Sequence, residues 1–306
     1  MKPFRIRVPA STANIGPGFD SLGLALALYL TVDVSPSSKW RVEQHSPHLS
    51  ADANAEDNYI LQIARETAGQ FHKELPACKL VVSSEVPLAR GLGSSASAIV
   101  AGIELADQLC SLSLTPEQKL ELGNDIEGHP DNIAPALYGG LIITTAAAGR
   151  VDWIRMPGLD TDVVMSIPRQ DLKTEASRKA LPDMFSRERA AAASSVSNVL
   201  VAALLSGDYR LAGKMMESDL FHEPYRAHLI PHYNDIKLYA AEQGAYGTVI
   251  SGAGPAMISF LPKGKGKACA DQLKTELPDY QIERLSVDRT GLHVTQSSTS
   301  KERTSE

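Results

Sequence analysis

Residues 86–97 read VPLARGLGSSAS, and an apolar helical pattern, AIVAGIELADQLC, follows at once. Gly91 and Gly93 let main-chain N–H groups turn onto one concave surface. A helix starting near Ser95 adds its own unpaired N–H groups and the positive end of its dipole. The result is an anion cradle, with polyphosphate as its natural occupant and the hydroxyls of Ser94, Ser95 or Ser97 available to a phosphate oxygen or to Mg²⁺. On the glycines alone, a tight strand-to-helix turn with a serine cap is the better account of the stretch. Two better-known phosphate loops do not fit: GxGxxG fails because Ala96 holds its last position, and GxxxxGK[ST] fails because no lysine follows the glycines.

Outward from the loop, KLVVSSEVP reads as a strand feeding it. FRIRV alternates at Phe4, Ile6 and Val8, and the even positions from Leu22 to Val34 are all apolar, the period of a long half-buried strand. PASTANIGPGFDS between them has the composition of a loop. YILQIARETAGQF has helical spacing. In LTPEQKLELGNDIEG, Thr115 with Pro116 and Gln118 forms a capping box, and the helix is expected to end at Gly128. GGLIITTA and TDVVMSIP are strands flanking a polar linker, AGRVDWIRMPGLDT. Alanine-rich helices follow from about residue 185, then AYGTVISGAGPAMISFLP as two strands around a glycine loop, and QIERLSVD as the last strand. The polar tail QSSTSKERTSE lacks a core-forming pattern. Helices and strands without regular βαβα alternation predict an α+β chain in two halves.

Composition narrows the function. The chain has 306 residues, 43% hydrophobic and 22% charged, with a net charge of -6 and no basic stripe, which argues against a nucleic-acid surface. No run approaches the roughly 18 apolar residues of a membrane span, and the amino terminus lacks a secretory signal, so a cytoplasmic location is expected. Cys78, Cys110 and Cys269 are scattered and form no CxxC motif, as in a reduced compartment.

PLARGLGSSAS resembles the phosphate loop of the GHMP small-molecule kinases. VPASTANIGPGFDSLGLAL, EGHPDNIAPALYGG, TEASRKALP, FHEPYRAHLIP and VISGAGPAMISF are similar to further motifs of that family, in its branch acting on homoserine. The resemblance implies a two-domain GHMP kinase fold, with a ribosomal-S5-like nucleotide domain over residues 1–155, a ferredoxin-like domain over 156–294 and a disordered tail over 295–306. It implies phosphorylation of the L-homoserine hydroxyl by ATP with Mg²⁺, on the route to threonine. The expected partners are these small molecules, with no nucleic acid and no membrane, and with a homodimer left open.

Residue by residue, the resemblance assigns the nucleotide to Pro87, Leu88, Ala89, Arg90, Gly91, Leu92, Gly93, Ser94, Ser95, Ala96 and Ser97, and the metal to Ser95 and Glu127. Glu127 stands at the carboxy end of the capped helix, where the dipole disfavours an anion and a cation would offset it. Asn58 is a contact to adenine by resemblance and an ordinary N-cap on its own position. Arg178 and Arg226 are candidates for the cationic fork around a carboxylate, although either alone reads as a solvated charge. Asp20 is assigned to the ammonium, and Asn14, His129 and Asn132 to the amino acid and its hydroxyl. Asn14, Asn132 and Thr174 are assigned to the reacting groups, and no general base is assigned, since phosphoryl transfer depends mainly on positioning. Another GHMP kinase, or a non-catalytic relative that senses metabolites, remains an alternative on sequence.

Overall fold

The computed structural model describes residues 1–46, 58–147, 149–156 and 158–296. The alternation at Phe4, Ile6 and Val8 builds β1 (Phe4–Asn14), antiparallel to β2 (Gly18–Pro36), with Phe4 opposite Val34. The register shifts between Pro9 and Ala10 and again between Ala13 and Asn14. These irregularities bend the ribbon, so β2 can serve two neighbours. Its outer part, from Leu30 to Pro36, pairs with β4 (Cys78–Ser84). Its inner part, from Leu22 to Leu24, pairs with β5 (Leu141–Thr145). The stretch expected as a loop, PASTANIGPGFDS, is therefore mostly strand, and the turn itself spans only residues 15–17.

β3 (Arg41–Gln44) lies parallel to β4, and β6 (Asp152–Arg155), inside the segment expected as a polar linker, pairs with β5. Helices α1 (Tyr59–Gln70), α2 (Ser94–Cys110), α3 (Pro116–Glu127) and α4 (Ile133–Tyr138) cover this sheet. Ile6, Val8, Val32 and Val82 share a buried core with Ile60, Ile63, Ile99 and Ile103. The Thr115–Gln118 capping box forms as expected, and Gly128 ends α3 at φ 86°.

A second sheet holds β7 (Thr161–Pro168), β8 (Gly247–Ile250), β9 (Met257–Pro262) and β10 (Tyr280–Leu285) in the order β10-β7-β9-β8, with every pairing antiparallel. Helices α5 (Thr174–Lys179), α6 (Arg187–Ser206), α7 (Tyr209–Met216), α8 (Glu223–Arg226) and α9 (Tyr233–Glu242) connect β7 to β8, and α10 (Gly266–Glu276) connects β9 to β10. This is the ferredoxin-like arrangement. β7 is buried on both faces, so its residues divide by parity. Val164 packs with Ile236, Ile250 and Leu273, whereas Val163 and Met165 share a core with Leu200, Met216, residues of the first sheet such as Ala10 and Leu24, and Leu92 of the loop before α2. One apolar core thus joins the two halves and fixes the cleft between them.

Two features depart from the sequence reading. The last strand, β11 (His293–Gln296), returns to pair with β1, so Thr295 and Gln296 of the expected tail are ordered into the first sheet. Residues 297–306 lie outside the described ones. Among the described residues one helix, α6, is long and apolar enough by length and composition to cross a membrane. Alanines spread along α6 supply much of that apolarity, and Ala193, Leu200, Ala203 and Leu204 bury one face of it.

Candidate active site

The loop between β4 and α2 is a shaped turn of backbone. Gly93 is the N-cap of α2 at φ 66°, and no side chain caps the first turn, so its N–H groups are left to a ligand. A Cβ on Gly93 would meet Ser11 Oγ at 2.2 Å, and one on Gly91, at φ 78°, would meet the Ser251 carbonyl oxygen at 2.2 Å. Those approaches bring three of the sequence motifs together. Ser11 N donates to the Leu92 carbonyl (3.1 Å), Gly252 N to Ala13 (3.1 Å) and Ala256 N to Arg90 (3.2 Å). Ser251 Oγ lies 2.6 Å from the Gly91 carbonyl, which can only accept, and 2.7 Å from Thr12 Oγ1.

The side chains of the loop divide into two groups. Pro87, Leu92 and Ala96 are buried in packing, and Ser97 Oγ ties α2 to β1 through the Pro9 carbonyl at 2.9 Å. The Arg90 guanidinium turns toward the carbonyls of Pro168 (3.0 Å), Leu88 (3.1 Å) and Arg169, which is a structural anchorage. Ala89, Gly91, Gly93, Ser94 and Ser95 face a polar cavity of about 590 Å³. Next to it, sharing Ala89, Ser94 and Ser95, is a more apolar cavity of about 1020 Å³, walled by Leu88, Val86, Tyr59 and Asn58. Asn58 Oδ1 caps α1 by accepting from Leu61 N at 3.1 Å. The capping position and the place in the cavity wall therefore hold together.

All of Asn14, Asp20, Glu127, His129, Asn132, Thr174, Arg178 and Arg226 line the polar cavity. Ser95 Oγ donates to Glu127 Oε2 at 2.9 Å across the α2 and α3 termini. Burial pushes the Glu127 carboxyl above its usual range, against the lowering effects of that hydrogen bond and of His129. His129 Nδ1 lies 2.6 Å from Asp131 Oδ1; burial opposes its charge, but the aspartate outweighs burial and the net shift is upward. Ligand atoms of Asp20, His129 and Asp131 lie within 4.8 Å of one another, an acidic corner suited to a cation.

The two arginines differ in their partners. Arg178 pairs with Asp20 through two contacts of 2.8 and 3.3 Å. Arg226 is only 2% exposed, yet among the described residues it has no carboxylate within 4.0 Å. Its Nε donates to the Ser177 carbonyl (3.1 Å), and its Nη1 faces the Gly252 carbonyl and His222 Nδ1, both at 3.3 Å. Desolvation, with the like charge of Arg178, pushes its pKa down to about 10.

Phe19, overlooked in the sequence, lies near both guanidinium groups, its ring centroid 5.6 Å from Arg178 Cζ and 5.3 Å from Arg226 Cζ, and stacks on Phe221. Its only signal was a large aromatic inside a glycine-rich polar stretch. Asn14, at φ 70°, spends its side chain on protein partners: Oδ1 accepts from Asp20 N (3.0 Å) and Nδ2 donates to the Gly252 carbonyl (2.9 Å). Asn132 Oδ1 accepts from Ser11 Oγ at 2.9 Å, and Thr174 opens α5 at the cavity rim.

The sequence matches the family of GHMP kinases N terminal domains over residues 58–140 and that of GHMP kinases C terminal domains over 200–279. It is 50% identical to the homoserine kinase of Oceanobacillus iheyensis over 296 residues, 96% of this chain and 99% of the relative. It is 43% identical to that of Staphylococcus saprophyticus over 94% and 95% of the two chains. The crystal structure of homoserine kinase from Cytophaga hutchinsonii, 27% identical, superposes with a TM-score of 0.83 over 96% of this chain and 98% of that one. At 17% identity, the mevalonate kinase of L. major shares the fold with a TM-score of 0.73 over 92% and 95%. With its phosphate loop, its paired glycine motifs and this degree of identity over nearly its whole length, the chain belongs to the homoserine kinases of the GHMP kinase family.

Proposed function

We propose that the chain transfers the γ-phosphoryl group of ATP to the side-chain hydroxyl of L-homoserine, giving O-phospho-L-homoserine on the way to threonine. The observation that carries this reading is Arg226, a buried cation with no carboxylate partner among the described residues, lining one cavity with the Asp20, His129 and Asp131 corner. Burying a charge without a counter-ion is costly, and a ligand carboxylate offsets that cost. A ligand bearing a carboxylate and an ammonium satisfies both ends at once. Asp20 then takes the ammonium, Arg226 and Arg178 take the carboxylate, and the Phe19 ring lies within reach of both guanidinium groups. His129 and Asn132 border the place left for the hydroxyl.

On the nucleotide side, the apolar cavity with Asn58 and Tyr59 takes the adenosine, and the uncapped α2 terminus takes the phosphates. Ser95 and Glu127 fit Mg²⁺ because they present hard oxygen donors 2.9 Å apart, one of them a desolvated carboxylate short of positive charge. When bound, Mg²⁺ neutralises phosphate charge. The protein aligns the hydroxyl with the phosphate loop: Asn14 fixes Asp20, Asn132 is set by Ser11, and Thr174 stands at the rim. No side chain is assigned as a base. Residues 1–155 are assigned to the nucleotide and 156–294 to closing the acceptor site from the other side.

The test is ADP release measured with L-homoserine, mevalonate and shikimate as acceptors. Turnover confined to homoserine supports the reading. Faster turnover of another acceptor, or ATP binding with no turnover on any of them, overturns it.

A further inference from the structure

His222 immediately precedes α8 and is completely buried. Its Nε2 lies 2.9 Å from the Gly16 carbonyl oxygen, and its Nδ1 lies 3.3 Å from Arg226 Nη1. A carbonyl only accepts and a guanidinium only donates, so the two contacts define one protonation state: Nε2 carries the proton and Nδ1 offers a lone pair. A second proton on the ring would set an N–H against the N–H of Arg226. The charged groups facing the ring are Asp219, with Oδ2 3.6 Å from Nε2, and Arg226 and Asp20. Burial is the largest influence and holds the ring neutral.

From this geometry we infer that His222 is a positioning residue for the acceptor, a neutral imidazole that sets the fork of Arg226 while clamping the turn that carries Asn14, Phe19 and Asp20. The inference rests on the reading that Arg226 meets the carboxylate of the acceptor. An acid at position 222 would pair with Arg226 and compete with that carboxylate, whereas a neutral acceptor orients the guanidinium and leaves its charge for the ligand. The other contact acts on the opposite wall. Gly16, at φ 73°, sits where a Cβ would come 2.1 Å from the Met216 carbonyl oxygen, so the turn is seated against the end of α7 and tied by His222 to the start of α8. One ring therefore links both sides of the pocket, through Gly16 on one side and Arg226 on the other.

The experiment compares His222→Leu, His222→Asn and His222→Gln with Arg226→Met and the double variant H222L/R226M, measuring KM for homoserine and for ATP separately. His222→Leu is expected to raise the homoserine KM roughly tenfold, the size of one charge-assisted hydrogen bond, with the ATP KM within about twofold. Asparagine reaches the place of Nδ1 and can still accept from Arg226, whereas glutamine reaches the place of Nε2 and cannot. His222→Asn should therefore raise the homoserine KM less than His222→Gln, an ordering that stands even if the leucine variant fails to fold. In the Arg226→Met background, His222→Leu should change the homoserine KM by no more than about twofold. An unchanged homoserine KM in the single variants, equal losses for both substrates, or a full effect of His222→Leu without Arg226 overturns the inference. If Arg226→Met raises the homoserine KM and the His222 variants do not, this inference alone fails. If Arg226→Met leaves it unmoved, the carboxylate reading fails first.

Discussion

Replacing Arg226 by methionine separates what the arginine does for the ligand from what it does to the fold. Its loss removes a charge-assisted fork to the carboxylate, worth roughly 3 kcal/mol, so the homoserine KM should rise about 100-fold. The same charge burdens the folded state. Burial holds its pKa at about 10, below that of the unfolded chain, so at neutral pH keeping it charged costs roughly 3 kcal/mol of stability. That cost is present below about pH 10 and is relieved only in strong alkali. Methionine removes it and fills most of the volume with a flexible apolar chain. Against this gain, the Ser177 and Gly252 carbonyls and His222 Nδ1 lose their donor, at roughly 1 kcal/mol each. The terms nearly cancel, so Arg226→Met should unfold within about 5 °C of the unaltered protein while homoserine saturation is lost and the ATP KM is unchanged. Thermal unfolding followed by circular dichroism and steady-state ADP release measure the two effects. A fall in Tm beyond about 10 °C would show a structural cation instead. Parallel losses for ATP and homoserine would remove Arg226 from the carboxylate.

Glu127→Gln keeps the shape and the bond to Ser95 but removes the anion, so kcat should fall roughly 100-fold and the Mg²⁺ titration shift to higher concentration; an unmoved titration would exclude Glu127 from the metal. Gly93→Ala should lower stability by roughly 3 kcal/mol, because φ is 66° and the new methyl meets Ser11 Oγ, whereas Gly69→Ala, in open space on α1, should gain about 0.5 kcal/mol; similar Tm values for the two would refute the packing of the loop. Glu223, buried against Tyr233 Oη and Ile250 N, has its pKa pushed up from 4.5 to about 7 chiefly by desolvation, so its folded-state pKa exceeds the unfolded one and stability is lost progressively as pH rises from about 4.5 to about 7. Glu223→Gln should therefore raise Tm by about 5 °C at pH 8.5 and little at about pH 4, and a pH-independent gain would contradict that sign.

Periodicity recovered the elements whose burial is one-sided. The start of β1, β4, α1 and α3 follow their alternation or capping because each packs one face on the core. It failed where tertiary pairing overrode local composition. Residues 9–14 look like a loop by their proline, serine, threonine and asparagine, yet they pair with β2 because two register shifts accommodate them. β6 and β11 are four-residue edge strands whose burial patterns carry little alternation, and only their partners, β5 and β1, define them. The order of the second sheet was likewise beyond any local pattern; it entered through the resemblance, and the pairings bear it out.

The site was legible as a set of residue types, and its electrostatics were not. Arg178 and Arg226 are each an arginine near a proline in sequence, with nothing to rank one above the other. In the structure Arg178 is half-buried with a carboxylate already beside it, and Arg226 is sealed among neutral acceptors. The difference arises because α8 is a single turn, Glu223–Arg226, that starts just after His222 between the turn after β1 and the loop after β8, and its last residue is turned inward. A zwitterion entering this pocket brings no net charge. In the proposed reading it divides the Asp20–Arg178 pair and hands its carboxylate to Arg226, which has no carboxylate within 4.0 Å among the described residues, so one ion pair becomes two without a change in the charge of the site. Selection for an amino acid over a plain acid or a plain amine then follows from that exchange: an acid leaves Asp20 facing it without a partner, and an amine leaves Arg226 as it was.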